Sequence, residues 1–203
     1  MSLAVQGSPE WHQARAGKIK ASVCAALEGK HPYMKPQDLV RQEVRALAGA
    51  ESEFVMVPAV AHGQMMEDHA RIFLEGIKGY RVRETGLVVH RDYDFIAASP
   101  DGLVNLDGAV EIKCPYPHYT KAPYSIFDKK RSMYLMQVYM QMEVLDVDWC
   151  DFICYLAKNE TIEPQYILER VERKEDFLTE LLSRKYMPQP EKGTVSRLDL
   201  YRA

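Results

Sequence analysis

The sequence predicts a mixed α+β (α/β) fold, a central mixed sheet flanked by helices, and three observations predict it. Apolar and small residues recur at helical spacing over 58–79. β-branched and aromatic runs cut by Gly, Pro and Asp turns fill 80–114. Helix and strand patterns then alternate to about residue 185, the order of a mixed sheet with helices on its faces. With 203 residues the chain is read as one domain: N-terminal helices at 8–49, a core at 58–171, and a C-terminal helix and tail at 172–203.

Each element has a local reason. Ser8-Pro9-Glu10-Trp11 reads as a helix start, Ser8 capping and Pro9 at the first helical position. Residues 21–28 continue as a second short helix, and 29–33 (GKHPY) form a loop. Pro36 opens a helix running to about Gly49, and Pro58 opens another that ends near 76–79. The stripe of that second helix is Ala59, Gly63, Met66, Ala70, Phe73 and Ile77, with Glu67 beside it. Strands are expected at 80–89, 94–98 and 109–114, then a Met- and Tyr-rich helix at 131–145. Strands at 148–156 and 165–171, a helix at 173–185 and a loose tail from Pro188 complete the order.

Composition narrows the classes. The apolar fraction of 47% and charged fraction of 27% are those of a globular protein. No apolar run approaches the roughly 18 residues that read as a membrane-spanning helix, and the N-terminal stretch lacks the regions of a signal peptide. No membrane is therefore expected, and the cytoplasm is the expected compartment. The four cysteines, 24, 114, 150 and 154, are too few for a disulfide framework and read as buried thiols. A net charge of -3 gives no overall sign of a nucleic-acid binder. Residues 1–50 nevertheless carry seven Lys/Arg against four Asp/Glu, and residues 51–110 five against ten. An acidic centre beside a basic segment suits a cation site approached by an anionic substrate, and equally suits uneven solvated faces.

The segment SPDGLVNLDGAVEIKCPY, residues 99–116, carries the chemistry. Strand periodicity puts Glu111 and Lys113 on one face and turns Ile112 to the other, and Asp101 can fold back beside Glu111. Two carboxylates and the Ile112 carbonyl form an all-oxygen set suited to Mg²⁺ or Mn²⁺. Lys113 would orient or deprotonate an attacking water beside a phosphate, and Glu67 is the best-placed third carboxylate. Glu-x-Lys alone is a weak signal, occurring at Glu28, Glu111 and Glu172; only the Glu111 copy has the turn, the Asp and the apolar strand together. An exposed ion pair on an edge strand is the other reading of the spacing. Lys129-Lys130-Arg131, Tyr116 and Lys121 are candidates for phosphate contact, with a solvated loop as the alternative.

Four blocks in order carry a family resemblance. Trp11-His12-x-x-Arg15-x-Gly17-x-Ile19-x-Ala21-Ser22, Gly63-x-x-x-Glu67-x-x-Ala70, SPDG with EIKCP, and Tyr134-x-x-Gln137-Val138 resemble the phage lambda exonuclease family, the viral-recombinase type of PD-(D/E)xK nuclease. The resemblance implies a restriction-endonuclease-like core and a Mg²⁺-dependent exonuclease, with Mn²⁺ substituting. It would degrade one strand of duplex DNA from the 5′ end and leave a 3′ overhang for a single-strand annealing recombinase, as a ring-shaped homotrimer, in the cytoplasm of a bacterial host. By matching position, Asp101 and Glu111 are the metal ligands, and Glu67 is the helical carboxylate. Lys113 is the water-activating lysine and Gln137 lies near the scissile phosphate. Arg15, Ser22 and Ser99 match the pocket for the 5′-phosphate, a role for which a guanidinium fork and hydroxyls are chemically suited. Lys20 departs from the pattern by adding a charge beside that pocket, and His62 is a second departure, just before the helical glycine. An endonuclease or repair nuclease on the same core, and an idle DNA-binding module, are the rival readings.

Overall fold

The computed structural model describes residues 9–50, 57–157 and 163–183. Its centre is two parallel strands, β5 (Gly108–Lys113) and β6 (Trp149–Leu156), joined through helix α4 (Ser132–Leu145). A short strand β4 (Gly102–Val104) pairs antiparallel with β5, and β7 (Gln165–Glu172) pairs antiparallel with β6, giving the order β4-β5-β6-β7. A second sheet, β1-β3-β2, is built from β1 (Ile19–Lys20), β2 (Val88–Val89) and β3 (Ile96–Ala98); β1 runs parallel to β3 and β2 antiparallel.

The two-residue period of β5 and β6 separates the layers. Val110, Ile112, Cys114, Ile153 and Tyr155 pack with Met66, Ala70 and Leu74 of α3 (Pro58–Lys78). Ala109, Cys150, Phe152 and Cys154 pack on the other face with Val138 and Met142 of α4. The opposite side of α4, Met136, Met140 and Val144, packs against the second sheet and its neighbours at Ile96, Ala98 and Phe177. Wedged between two sheets, α4 is apolar nearly all round, so a polar residue inside it requires an explanation.

Most expected elements are present. Pro36 and Pro58 each begin a helix, α2 (Pro36–Leu47) and α3, and α1 spans Pro9–Arg15. Residues Ala21–Glu28 wind as a 3-10 helix. All four cysteines are buried and free. The buried stripe of α3 runs His62, Met66, Ala70, Leu74, and the expected Ile77 is exposed.

Three expectations are corrected. The strand at 80–89 is two fragments: Arg83 bridges Leu103 of β4 in one sheet, and Val88–Val89 pairs with β3 in the other. A chain crossing between sheets cannot keep one ladder. Gly102, read as part of a turn, opens the short strand β4, and 19–20, within the expected N-terminal block, form β1. The last helix, α5 (Phe177–Leu182), begins later than 173: Arg173 still hydrogen-bonds Asp148 through its backbone at 2.8 Å, and Asp176 at φ 61 blocks earlier helix. The helix also ends before the expected 185, at Leu182, where Ser183 is extended. The expected Ser8 cap and the tail from 188 lie outside the described residues.

Candidate active site

The β4–β5 hairpin turns at Asn105, whose φ of 53 gives the left-handed geometry of a tight reversal. Side chains from neighbouring segments leave no room for a side chain at two of its glycines. A Cβ on Gly102 would lie 2.1 Å from Val82, and one on Gly108 would lie 2.2 Å from the Trp149 ring. This hairpin brings Asp101 back to β5, where Asp101 Oδ2 accepts the Ile112 backbone N–H at 2.6 Å.

Glu111 is the hub. It is only 1% exposed and faces α4. Its Oε1 accepts from Gln137 Nε2 at 2.6 Å and from the Lys113 ammonium. Its Oε2 accepts from Gln141 Nε2 at 2.6 Å. Gln137 and Gln141 stand four residues apart on α4, so both amides project from one face. A buried carboxylate is tolerable because it is paired and hydrogen-bonded on both oxygens.

Lys113 also sits 5.3 Å from the centroid of the Tyr134 ring, which stacks on Tyr124 with ring planes 9° apart. Arg131 lies over the Tyr124 ring at 4.1 Å, so cation–aromatic contacts link Lys113 to the basic turn before α4. Within that turn Lys129 and Lys130 are exposed, and Asp128 caps it by accepting the Lys130 N–H at 2.9 Å.

Charge is crowded here. Burial first, and then the Glu111 charge, push the Asp101 carboxyl well above its ordinary range. The same two causes raise Glu67, which reaches the site from α3. Burial acts against the Lys113 ammonium, but the Glu111 and Asp101 carboxylates outweigh it and raise its pKa. Three carboxylates therefore share one ammonium. Among the described residues no three His, Cys, Asp or Glu side chains form a group that could hold a metal ion by themselves. The oxygen donors at hand are the Asp101, Glu111 and Glu67 carboxylates and backbone carbonyls of β5.

The second group of expected residues lies at the adjoining sheet. Pairing of Lys20 with Ala97 puts Ser22 and Ser99 each two residues past the last pair of β1 and β3, at the same end. Ser99 Oγ is buried and finds no hydrogen-bond partner, while Ser22 is exposed. Arg15 stacks over the Trp11 ring at 3.9 Å, and burial lowers its pKa against the opposing pull of Glu43. The added charge of Lys20 is answered by a buried ion pair with Glu43 of α2. His62 packs on Tyr116 with ring centroids 5.4 Å apart. Thus Asp101, Glu111, Lys113 and Gln137 meet, with Glu67 in electrostatic range, and Ser99 lies two residues from Asp101. Gln141 was not among the expected residues; its signal was its spacing of four from Gln137 in QVYMQ.

A mixed sheet carrying Asp-x9-Glu-x-Lys on a hairpin, covered by a glutamine-bearing helix, has the fold of an alkaline exonuclease. The chain aligns with the alkaline exonuclease LHK-Exo from Laribacter hongkongensis at 29% identity and TM-score 0.70, covering 86% of this chain and 87% of that one. The same enzyme in complex with dAMP aligns at 29% and 0.70, covering 88% and 89%. A phage-related exonuclease from Haemophilus somnus shares the fold at TM-score 0.63 and 16% identity, covering 81% and 88%. An uncharacterised protein of Acanthamoeba polyphaga mimivirus is 29% identical over 161 residues, 73% of this chain and 28% of that protein's length. Residues 10–148 match the YqaJ-like viral recombinase domain, and the chain belongs to that family.

Proposed function

We propose that the chain is a Mg²⁺-dependent exonuclease that degrades one strand of linear duplex DNA from its 5′ end and leaves a 3′ single-stranded overhang for recombination by annealing. The observation that carries this reading is the crowding of Asp101, Glu111 and Glu67 about the one ammonium of Lys113, an arrangement a divalent cation would balance. Carboxylates and a backbone carbonyl are hard oxygen donors, which suit Mg²⁺, with Mn²⁺ substituting. Asp101, Glu111 and the Ile112 carbonyl would hold the ion, with Glu67 beside them. When bound, it would supply charge neutralisation at the phosphate and a more acidic attacking water.

The chain's own residues do the rest. Lys113, kept protonated by its neighbours, orients the attacking water and donates to a phosphate oxygen. Gln137 donates to the Lys113-facing oxygen of Glu111, and its amide would also serve the scissile phosphate. In the hydrolysis the water oxygen bonds to phosphorus and the bond from phosphorus to the 3′ oxygen of the terminal nucleotide breaks. A nucleoside 5′-monophosphate leaves, and the shortened strand keeps a new 5′-phosphate. Arg15, Ser22 and Ser99 receive that phosphate, and the unpartnered Ser99 hydroxyl is a donor ready for it. The LHK-Exo complex with dAMP supports a mononucleotide product. A single nuclease domain, a ring-shaped homotrimer, a single-strand annealing partner and action in the bacterial cytoplasm belong to the same proposal.

Linear duplex labelled at either end, with 5′-phosphate or 5′-hydroxyl, tests it in the presence of Mg²⁺. The expected result is loss of label from 5′ ends, faster with the phosphate, and no cutting of closed circles. Release from 3′ ends or linearisation of circles would overturn it.

A further inference from the structure

We propose that Gln141 is a positioning residue that fixes the metal-accepting oxygen of Glu111, a part distinct from that of Gln137; this rests on the metal-dependent reading above. The two oxygens of Glu111 are not equivalent. Oε1 already accepts two donors, Gln137 Nε2 and the Lys113 ammonium. Oε2 accepts one, Gln141 Nε2 at 2.6 Å. A carboxylate oxygen has two lone-pair sites, so Oε2 is the oxygen with one left for a cation. Gln141 therefore holds the ligand oxygen, and Gln137 and Lys113 hold the oxygen that faces the chemistry.

The surroundings of Gln141 argue against a role in packing. It has no exposed surface, and its neighbours on α4, Met140, Met142, Val138 and Val144, are apolar and buried. Its amide orientation is fixed, because a carboxylate only accepts and the NH₂ must face Glu111. That leaves Gln141 Oε1 buried with no partner. An unmet buried acceptor costs stability, and an apolar side chain here would avoid it. A half-satisfied amide kept in the middle of an apolar helix is explained by what its other half does to Glu111. Groups behind a metal ligand that fix its orientation typically change metal affinity about 10–100-fold when removed.

The test is calorimetric titration of Mn²⁺ into the full chain without DNA, for the wild type, Gln141→Met and Val138→Ala. Methionine keeps the length and loses the donor, and Val138→Ala perturbs the same helix without touching Glu111. The expected result is binding by the wild type, an affinity lowered about 10–100-fold in Gln141→Met, and little change in Val138→Ala. The hydrolysis rate of the Met variant is expected to recover as Mg²⁺ is raised. Gln141→Asn, which keeps the amide but cannot reach Glu111, gives the same reading if the Met variant fails to fold. Wild-type affinity in Gln141→Met or Gln141→Asn, or an equal loss in Val138→Ala, would overturn the positioning role while leaving the nuclease reading intact. Absence of Mn²⁺ binding by the wild type would overturn both.

Discussion

At the scale of the residue, Ser99 and Glu111 solve opposite problems. Glu111 is a buried charge made tolerable by donors on both oxygens. Ser99 carries a buried hydroxyl that finds no hydrogen-bond partner, the group proposed to meet the terminal phosphate. Ser99→Ala is therefore expected to leave stability within about 1 kcal/mol of wild type, because no internal hydrogen bond is lost. The same change is expected to reduce the preference for 5′-phosphorylated over 5′-hydroxyl ends, read from initial rates on the two duplexes. A large drop in unfolding midpoint with an unchanged preference would assign Ser99 to the core. Asp101, Glu111 and Lys113 were legible in the sequence because strand periodicity and a turn suffice to bring them together. The Lys20–Glu43 pair was not, because its partners are 23 residues apart on separate elements and no local pattern joins them.

Elements differ in how far their signals are local. Helices α2 and α3 announce themselves through Pro36 and Pro58 at their first turns and Gly79 at the end of α3. Strand β4 has three residues, begins at a glycine and exists only because β5 and Arg83 flank it, so nothing in 102–104 alone marks it. The same hairpin positions the site, and its fit is tight at Gly108, where the Trp149 ring occupies the space of a side chain. Trp149 is itself pinned by Arg170, 3.6 Å above its ring, and Arg170 is held by both oxygens of the buried Asp151. Gly108→Ala must displace that ring and is expected to destabilise the chain by about 1–3 kcal/mol, measured by denaturant unfolding. Tryptophan emission in the folded protein is expected to shift, since the ring at 9% exposure would move. Unchanged stability and emission would mean that the hairpin yields without cost.

At the scale of the whole molecule, α4 joins the two halves of the proposed chemistry. One side packs on the sheet that carries Glu111 and Lys113, and the other packs on the sheet whose strand β3 leads into Ser99. Sequence periodicity could assign α4 as a helix, but its near-uniform apolar surface hid which face met which sheet. The two-sheet arrangement was likewise invisible, because the chain from 80 to 98 serves both sheets in turn. Matching blocks from Trp11 to Val138 nevertheless pointed to the family, as the family match over 10–148 bears out. The central claim is that a cation held by Asp101 and Glu111 works with Lys113 to hydrolyse DNA ends. Mononucleotide release from linear duplex, measured with Mg²⁺ and with chelator for the wild type and Lys113→Ala, tests it most directly. The account predicts release by the wild type only with the metal, and a rate about 10²–10⁴-fold lower in a folded Lys113→Ala protein, the span typical of losing a positioned proton-handling group. Wild-type rates in Lys113→Ala, or release undiminished by the chelator, would contradict it.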